Sequence, residues 1–272
     1  MDGVTTLVQP GYGYPDVGDA LTAGVIADSG LPAEQWERQE RELLEYFRQA
    51  AARLPRRGAL LDFGAGEGRL TPLLAPQFDR VVAVEPDPGR AAGHVAALAD
   101  APWRARVRLH AADPAGAEPT YDAAVCSHVI QHVPEETADA IVAHLSRVLR
   151  PGGLLLLTTC LSSGPRSRYA VDRRDAAGRV REEPATAAEF AAVCHANRPG
   201  ELPVHFFPYA GLLALLRGHG LTPEAGFGLH GPHGLVGPLP VGGEPPPEDR
   251  RRLAACRDVA VLATGAAGAA AR

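Results

Sequence analysis

Three glycines at short spacing follow an acidic strand end in the stretch LLDFGAGEGRL. The acid is Asp62, and the glycines are Gly64, Gly66 and Gly68. Such a turn lets the backbone approach a ligand closely, and a helix expected from about Arg69 would point its free N–H groups at that ligand. The spacing G-x-G-x-G differs from the dinucleotide fingerprint G-x-G-x-x-G, and the carboxylate of Asp62 would repel a pyrophosphate. The stretch therefore predicts a ligand that carries a positive charge, as an amine or a sulfonium.

Two further acids lie at predicted strand ends, Glu85 in VVAVEPD and Asp113 in RVRLHAAD. Glu85 follows Asp62 at a distance where a carboxylate can accept hydrogen bonds from both hydroxyls of a ribose. Asp113 has a second interpretation, because an Asp before Pro also starts ordinary turns. Together, three strand-end carboxylates beside a close-approach turn indicate a nucleoside that carries amines and no phosphate.

Two histidines and a tyrosine are candidates for chemistry beside that ligand. His128 and His132 lie four residues apart, so on a helix they could share a metal, but no third ligand has a useful spacing and we expect no metal site. A structural role and a role as general base stay open, with His128 better placed to reach a substrate; Asp172 is a further candidate base. Tyr14, like Tyr12, either covers the site with a ring face that favours a cation or packs on the edge of the sheet.

Alternating strand and helix patterns must position these residues. A helix is predicted to begin near Pro32, and from residue 58 short apolar runs alternate with helical segments, the clearest of which is Glu135–Leu149. Nearly continuous apolar strands indicate a parallel sheet that is buried on both faces. The predicted fold class is therefore α/β, a doubly wound domain.

The alternation breaks after LLLLTT and resumes at YAGLLALLRGHG, followed by a strand around EAGFGLH, a Pro/Gly loop at 231–249 and a last strand, RDVAVLATG. Mixed charges around DAAG favour a solvated hairpin within the break, and insertions at the carboxyl edge of such a sheet usually lie over the site. The predicted parts are a leader and helix at 1–57, a core at 58–160 and 204–264, a lid insertion at 161–203 and a disordered tail at 265–272.

Composition excludes several classes of function. The 272 residues carry a formal net charge of −5, which argues against binding to nucleic acid phosphates. Four cysteines form no CxxC pair or zinc spacing, and we expect reduced thiols. No run approaches about 18 consecutive apolar residues, and the first residues lack the features of a signal peptide. We expect a soluble, cytoplasmic protein with no membrane partner.

Five stretches resemble, in order and spacing, the motifs of class I S-adenosylmethionine-dependent methyltransferases of the small-molecule type. They are LLDFGAGEGRL, VVAVEPD, LHAAD, YDAAVCSHVIQHVP and LRPGGLLLLTT, and they lie within residues 58–160. The segment FFPYAGLLALLRGHGLTPEAGFG is also similar to the final helix and antiparallel strand pair of that family. The resemblance implies a seven-stranded Rossmann-like sheet in the order 3-2-1-4-5-7-6, with the seventh strand antiparallel.

The resemblance also implies roles for individual residues. S-adenosylmethionine would be the cofactor and S-adenosylhomocysteine its product. Asp62 would lie near the ammonium group, Glu85 would hold the ribose, and Asp113 would accept from the adenine amino group. The implied cofactor-binding set is Asp62, Gly64, Ala65, Gly66, Glu85, Pro86, Ala112, Asp113, Ser127 and His128. The candidate catalytic residues are His128, His132 and Tyr14.

Methyl transfer to an oxygen or nitrogen atom of a small molecule is the first functional hypothesis, with carbon less favoured and secondary metabolism as one setting. The protein would be a monomer or homodimer. The alternative is a protein of the same fold that binds the cofactor without transferring methyl, such as a cyclase or a regulatory binder. Methylation of a nucleic acid base would predict an Asn/Asp-Pro-Pro-Tyr/Phe signature after the fourth strand, where this chain has CSHV.

Overall fold

The helix expected after Pro32 is the first element of the structure, a computed structural model that describes residues 14–15, 31–114, 120–174, 177 and 179–266. This helix, α1, spans Ala33–Ala51. Its buried residues recur every three or four positions and include Trp36, Leu43 and Phe47. That stripe packs on one face of the sheet. Docking on the sheet therefore explains the amphipathic pattern of the helix. The predicted Tyr12 and most of the predicted tail lie outside the described residues.

Five parallel strands form the centre of the sheet, as predicted, in the order β3-β2-β1-β4-β5. Their bounds are β1 Ala59–Phe63, β2 Arg80–Val84, β3 Val107–His110, β4 Tyr121–Ser127 and β5 Leu149–Ser162. Every residue of β1 is buried, which agrees with a sheet covered on both faces. The carboxyl ends of these strands therefore meet at one edge, where the candidate residues follow them.

Short helices connect these strands. They are α2 Thr71–Leu74, α3 Pro88–Leu98 and α4 Glu135–Val148. The helix expected from about Arg69 is thus only one turn long, and a 3-10 turn, Ala75–Gln77, replaces its continuation. Pro76 explains the difference, because proline has no N–H to donate and clashes with the preceding turn inside a helix.

The C-terminal elements complete the sheet in the predicted order. They are α6 Tyr209–Gly218, β9 Thr222–Leu229, β10 Val236–Leu239, α7 Pro247–Ala254 and β11 Asp258–Thr264. Strand β11 is antiparallel to both β5 and β9 and lies between them, which confirms the predicted antiparallel seventh strand. The loop expected at 231–249 contains the edge strand β10, and the insertion adds three more strands. The described part of the chain therefore has eleven strands where seven were expected.

The insertion after β5 is a small three-stranded sheet with one helix. Its elements are β6 Arg168–Arg174, β7 Val180–Ala185, α5 Ala187–Ala196 and β8 Glu201–Pro208. Strand β6 pairs antiparallel with β7, which confirms the predicted hairpin, and with β8 on its other side. Strand β8 in turn pairs in parallel with the last residues of β5, at Leu161 and Ser162. The insertion is therefore continuous with the carboxyl edge of the main sheet.

Two clusters of buried side chains cover the two faces of the main sheet. One contains α4 and α6 residues, and the other contains the apolar stripe of α1. Among the residues that the structure describes, no helix combines the length and apolarity needed to cross a membrane.

Candidate active site

The glycine turn after β1 has a backbone that only glycine adopts easily. The φ angles of Gly64, Gly66 and Gly68 are +75°, +56° and +84°. The amides of Gly64 and Ala65 both donate to the carbonyl of Val84, each at 2.9 Å, which folds the turn over the end of β2. A Cβ atom on Gly64 would lie 2.2 Å from Cγ2 of Val129. The turn therefore needs glycine both for its dihedral angles and for its space.

Both carboxylate oxygens of Glu85 accept backbone hydrogen bonds, and one of these bonds comes from the glycine turn. Oε2 accepts from the amide of Gly66 at 2.8 Å, and Oε1 accepts from the amide of Asp87 at 2.9 Å. Burial raises the pKa of Glu85, and the two backbone hydrogen bonds oppose that rise. Pro86, next in the chain, is half-buried. Glu85, the residue predicted to bind the ribose, is thus held rigidly at the end of β2. It lies beside the turn that is predicted to bind the methionine part of the cofactor.

Asp62 is a buried carboxylate at the end of β1. Its Oδ2 accepts from the hydroxyl of Thr71 at 3.2 Å, and that hydroxyl also contacts Nε2 of His94 at 3.1 Å. Burial raises the pKa of Asp62 to about 6, while the Thr71 hydrogen bond and the charge of Arg69 act in the opposite direction. A cation brought close to Asp62 would favour its ionised form. This agrees with a position near the ammonium group of a cofactor.

Asp113 has partners for both of its carboxylate oxygens. Its Oδ1 accepts from the Tyr121 hydroxyl at 2.5 Å, and its Oδ2 lies 2.8 Å from Nε2 of His144. The carboxylate is buried, and burial with the adjacent Asp113 charge raises the pKa of Tyr121 well above its usual range. Asp113 thus anchors the end of β3 to β4 and α4, and its contact with an adenine amino group remains a prediction. Ala112 is half-buried, and its contact with the adenine ring remains a prediction.

His128 follows Ser127, the half-buried last residue of β4, and has a positive φ of 56°. The Oε1 atom of Gln131 accepts from Thr159 at 3.1 Å, so the Nε2 amide group of Gln131 donates to Nδ1 of His128 at 3.0 Å. Burial lowers the pKa of His128, so the ring is neutral with its proton on Nε2. This makes Nε2 a donor, which disfavours the predicted role of His128 as a base.

His132 and Tyr14 meet at the entrance to the insertion. Nδ1 of His132 donates to the carbonyl of Pro203 in β8 at 2.7 Å, and burial lowers the pKa of His132 to about 4. The Tyr14 ring lies edge-on to His132 at 6.4 Å between centroids, and the guanidinium of Arg90 lies 4.1 Å from the Tyr14 ring centre. The amide of Tyr14 donates to Asp87 at 2.7 Å. Tyr14 thus lies beside the Glu85 end of the site, and its part in covering that site remains a prediction.

Asp172, the further candidate base, lies inside the insertion on β6. It is buried, and burial raises its pKa to about 6, as does the nearby charge of Glu182, while Arg257 and Arg168 act in the opposite direction. The arginines of the hairpin are largely paired: Arg168 with Glu182 at 2.7 Å, and Arg173 with Glu201 at 2.9 Å. These pairs agree with the predicted solvated hairpin.

Two residues that the sequence analysis missed lie next to His128. His230 follows β9 with a positive φ of 57°, and its Nδ1 lies 2.5 Å from Oδ2 of Asp258, the first residue of β11. Burial alone would raise the pKa of Asp258, but the adjacent imidazoles of His128 and His230, the hydrogen bond from His230 and the charge of Arg257 hold it well below its usual range. A sequence signal existed: β11 is antiparallel, so its first residue lies at the edge where the parallel strands end.

Helix α1 covers this pair. The Trp36 ring stacks on His230 at 3.9 Å between centroids with an interplanar angle of 10°. The side chain of Gln39 accepts from the amide of His230 at 2.7 Å and donates to the carbonyl of Gly231 at 3.1 Å. The leader helix is therefore part of the site rather than an appendage to the sheet.

His128, His230 and Asp258 also form a group that could hold a metal ion. One ligand atom from each lies within 4.8 Å of the others, and this is the one such group in the described part of the chain. However, Nδ1 of His230 and Oδ2 of Asp258 are at hydrogen-bond distance, whereas two atoms bound to one zinc ion are about 3 Å or more apart, given bond lengths near 2 Å. The geometry favours a hydrogen-bonded pair, and the expected absence of a metal remains a prediction.

Comparisons with known proteins agree with this geometry. The chain is 36% identical over 108 residues to an uncharacterized methyltransferase of Mycobacterium avium (strain 104), covering 39% of this chain and 41% of that protein. It is 35% identical over 114 residues to a ubiquinone biosynthesis O-methyltransferase of Xanthomonas oryzae pv. oryzae (strain PXO99A), covering 40% of this chain and 46% of that protein. The chain thus matches less than half the length of these curated relatives.

Among solved structures, the fold is similar to that of the 1,6-didemethyltoxoflavin-N1-methyltransferase of Burkholderia thailandensis, crystallised with 1,6-didemethyltoxoflavin and S-adenosylhomocysteine. The match has a TM-score of 0.50 and 21% identity and covers 95% of this chain and 93% of that one. The methyltransferase domain family matches residues 35–225, from α1 to β9. On this match, with the order of motifs and strands described above, the chain belongs to the methyltransferase domain family, in its class I S-adenosylmethionine-dependent branch.

Proposed function

We propose that this protein transfers the methyl group of S-adenosylmethionine to an oxygen or nitrogen atom of a small molecule. The observation that carries the proposal is the glycine turn, which is bonded to Glu85 on one side and has the buried Asp62 behind it. Asp62 suits the ammonium group of the cofactor, and Glu85 suits the ribose hydroxyls. Neither of these two carboxylates would suit a pyrophosphate, which is itself negatively charged.

The transfer itself would need little covalent chemistry from the protein. The methyl carbon of a sulfonium is already activated, so the main task is to align an acceptor atom in line with the breaking C–S bond and to exclude water. Tyr14, next to Arg90 and His132, supports this by covering the site near the Glu85 end. The aromatic ring also offers a face that favours a nearby positive charge.

The surroundings of the site support a small substrate. Helix α1 lies over the His230 side, and the insertion reaches the other side through the hydrogen bond between His132 and Pro203. The net charge of −5 offers no broad basic surface for a nucleic acid. The names of the Xanthomonas oryzae relative and the Burkholderia thailandensis enzyme, an O-methyltransferase and an N-methyltransferase, are also consistent with small acceptors.

The test is to incubate the purified protein with S-adenosylmethionine carrying a trideuterated methyl group and a cell extract of the organism that produces it. Mass spectrometry then searches separately for labelled small molecules, protein and RNA. We expect a labelled small molecule. Labelled protein or RNA would contradict the substrate class. Absence of label, with calorimetry showing tight binding of S-adenosylhomocysteine, would favour the alternative of a cofactor-binding protein that does not transfer methyl.

A further inference from the structure

The hydrogen bond between His230 and Asp258 fixes which nitrogen of His230 carries the proton. Asp258 is ionised and can only accept, so Nδ1 of His230 is the N–H donor at 2.5 Å. In the neutral ring the other nitrogen, Nε2, then presents a lone pair. In the structure Nε2 is buried and has no hydrogen-bond partner, and the His230 side chain is 2% exposed. Nδ1 of His94, His144 and His205 is likewise buried without a partner, so the case for a ligand group at Nε2 of His230 rests on its place beside His128 and under α1.

We propose that His230, held by Asp258, removes the proton from a hydroxyl acceptor during methyl transfer. This inference rests on the proposed function and deepens it by naming the base and the acceptor class. His230 is the catalytic residue in this scheme. Asp258 is a positioning residue, which orients the imidazole and stabilises its protonated form.

The pair lies close to the predicted methyl-transfer position. The His230 and His128 rings are nearly parallel, with centroids 6.2 Å apart. His128 is followed by Val129, which packs directly against Gly64 of the glycine turn. A group bound between the glycine turn and α1 would thus be separated from His230 by no more than one side chain. Nε2 is buried in this structure, so the proposal requires the groups over the ring edge to move when the acceptor binds.

The local backbone supports a functional role for this position. His230 has a positive φ, which is unfavourable for a residue with a Cβ atom, and it is held there by Gln39 and by the stack with Trp36. Such strained conformations persist where surrounding contacts impose them, and they concentrate at functional sites. Two costly features, strain and an unpartnered nitrogen, therefore coincide in one side chain.

The reaction balances with the groups named. The acceptor O–H bond breaks, and its proton moves to Nε2 of His230. An oxygen lone pair forms the new O–CH₃ bond as the C–S bond breaks, and the electrons of that bond remain on sulfur, which becomes the neutral thioether of S-adenosylhomocysteine. The positive charge passes from the sulfonium to the imidazolium, which lies against Asp258 and the face of Trp36. Release of this proton to water restores the pair.

The charges around the candidate bases distinguish His230 from His132. Burial lowers the pKa of His132 to about 4, as do the charges of Arg90 and Arg257, while its hydrogen bond to Pro203 acts in the opposite direction. His230 instead has the carboxylate of Asp258 at 2.5 Å from its Nδ1. The other ionisable groups near the pair, which act on His128 from α1 and from the glycine turn, are Glu40 and Arg69.

The pair also indicates the acceptor. A neutral amine attacks a methyl group through its own lone pair and loses a proton only afterwards, so a buried base offers it little. A hydroxyl is a weak nucleophile until its proton is removed, and a positioned base then contributes about 10²–10⁴-fold. The geometry therefore favours O-methylation.

The activity test compares His230→Gln with His219→Gln. His219 is the matched control because its Nε2 also pairs with an aspartate, Asp139, at 2.8 Å, in an exposed position away from the site. The probe is trideuterated S-adenosylmethionine with the small-molecule fraction of the extract. We expect His230→Gln to slow labelling by about 10²–10⁴-fold with unchanged affinity for S-adenosylhomocysteine, and His219→Gln to match the wild type.

Several outcomes would overturn the proposal while leaving the proposed function intact. They are labelling by His230→Gln within threefold of the wild type, a large loss confined to His132→Gln, and label on an amine nitrogen in the product. A wild-type protein that labels no small molecule would overturn both proposals.

Two further measurements do not depend on finding the acceptor. Nitrogen-15 spectra of histidine-labelled protein should show His230 protonated at Nδ1 and unprotonated at Nε2, and Asp258→Asn should weaken this preference and slow labelling. The opposite tautomer in the wild type would overturn the proposal. Elemental analysis after exposure to Zn²⁺ and dialysis provides the second measurement. Stoichiometric zinc that is lost in His230→Gln and kept in His219→Gln would overturn it in favour of a metal site.

Discussion

Affinity for the cofactor should fall when Asp62 is protonated. Asp62 is 3% exposed, and burial raises its pKa to about 6, so the carboxylate is about nine-tenths ionised at pH 7 and about one-tenth ionised at pH 5. The ammonium of S-adenosylhomocysteine favours the ionised form, so protons compete with the ligand. Full affinity is therefore present above about pH 7 and is lost as the pH falls through about 6.

The magnitude follows from these fractions. If the bound ammonium lowers the pKa of Asp62 well below 5, the dissociation constant should be about tenfold larger at pH 5 than at pH 7, equivalent to about 1.4 kcal/mol. Binding should release about 0.9 proton at pH 5 and about 0.1 proton at pH 7. The α-amino group of the ligand is protonated over this range and contributes little.

Isothermal titration calorimetry with S-adenosylhomocysteine, in buffers of different ionisation enthalpy, measures both the affinity and the proton release. Asp62→Asn is the control, because it should bind more weakly at pH 7 and show little change between pH 7 and pH 5. A wild-type affinity that does not change over this range would refute the reasoning. The same tenfold loss in Asp62→Asn would assign the titration to another group, of which Glu85 is the nearest candidate because its pKa is also raised.

Two substitutions test the rest of the cofactor site. Glu85→Ala should weaken binding of S-adenosylhomocysteine by about 1–3 kcal/mol, because two ribose hydrogen bonds are lost, and calorimetry measures this directly. Gly64→Ala should lower the free energy of unfolding in urea by about 2–5 kcal/mol, because its φ of +75° and a Cβ atom 2.2 Å from Val129 are both unfavourable.

Each of these substitutions has a matched control in the chain. Glu67→Ala removes an exposed acid of the same turn and should leave the affinity within threefold; equal losses at Glu67 and Glu85 would contradict the ribose assignment. Gly152→Ala tests the dihedral cost alone, because Gly152 has a φ of +73° and its added Cβ would have no neighbour within 4 Å. We expect a loss of about 1–2 kcal/mol there, and equal destabilisation by the two alanines would refute the packing argument.

The central sheet was predictable because its signals are local. Each parallel strand is an apolar run with a marked end, and the positive φ angles of the glycines follow from their own lack of a side chain. The position of Glu85 at the end of β2 follows from the same pattern. The antiparallel last strand came from the family resemblance rather than from the residues.

The parts that were missed depend on contacts between distant segments. His230 and Asp258 are brought together by the antiparallel register of β9 and β11, in which Asp258 lies opposite Leu229. Neither residue stands in a motif, so spacing did not single them out, and the one signal was the antiparallel direction of the last strand, which places Asp258 at the carboxyl edge of the sheet. Asp113 was assigned to adenine from its place after β3, and its contacts with Tyr121 and His144, from other elements, were not predicted. Side-chain direction at a strand end is decided by packing partners rather than by the local sequence.

The side chain of Gln39 forms the same pair of hydrogen bonds with the loop after β9 that the peptide group of a neighbouring strand would form. Its amide offers one acceptor and one donor, and these pair with the backbone N–H of His230 and the backbone C=O of Gly231. Glutamate at this position would lack the donor, and an aliphatic residue would lack both groups. The carboxamide of Gln39 thus adds a directional constraint to the apolar stripe that docks α1 on the sheet. If the leader and α1 were exchanged between relatives, the geometry of the loop after β9, which contains His230, would therefore change as well. The two segments are separated by most of the chain.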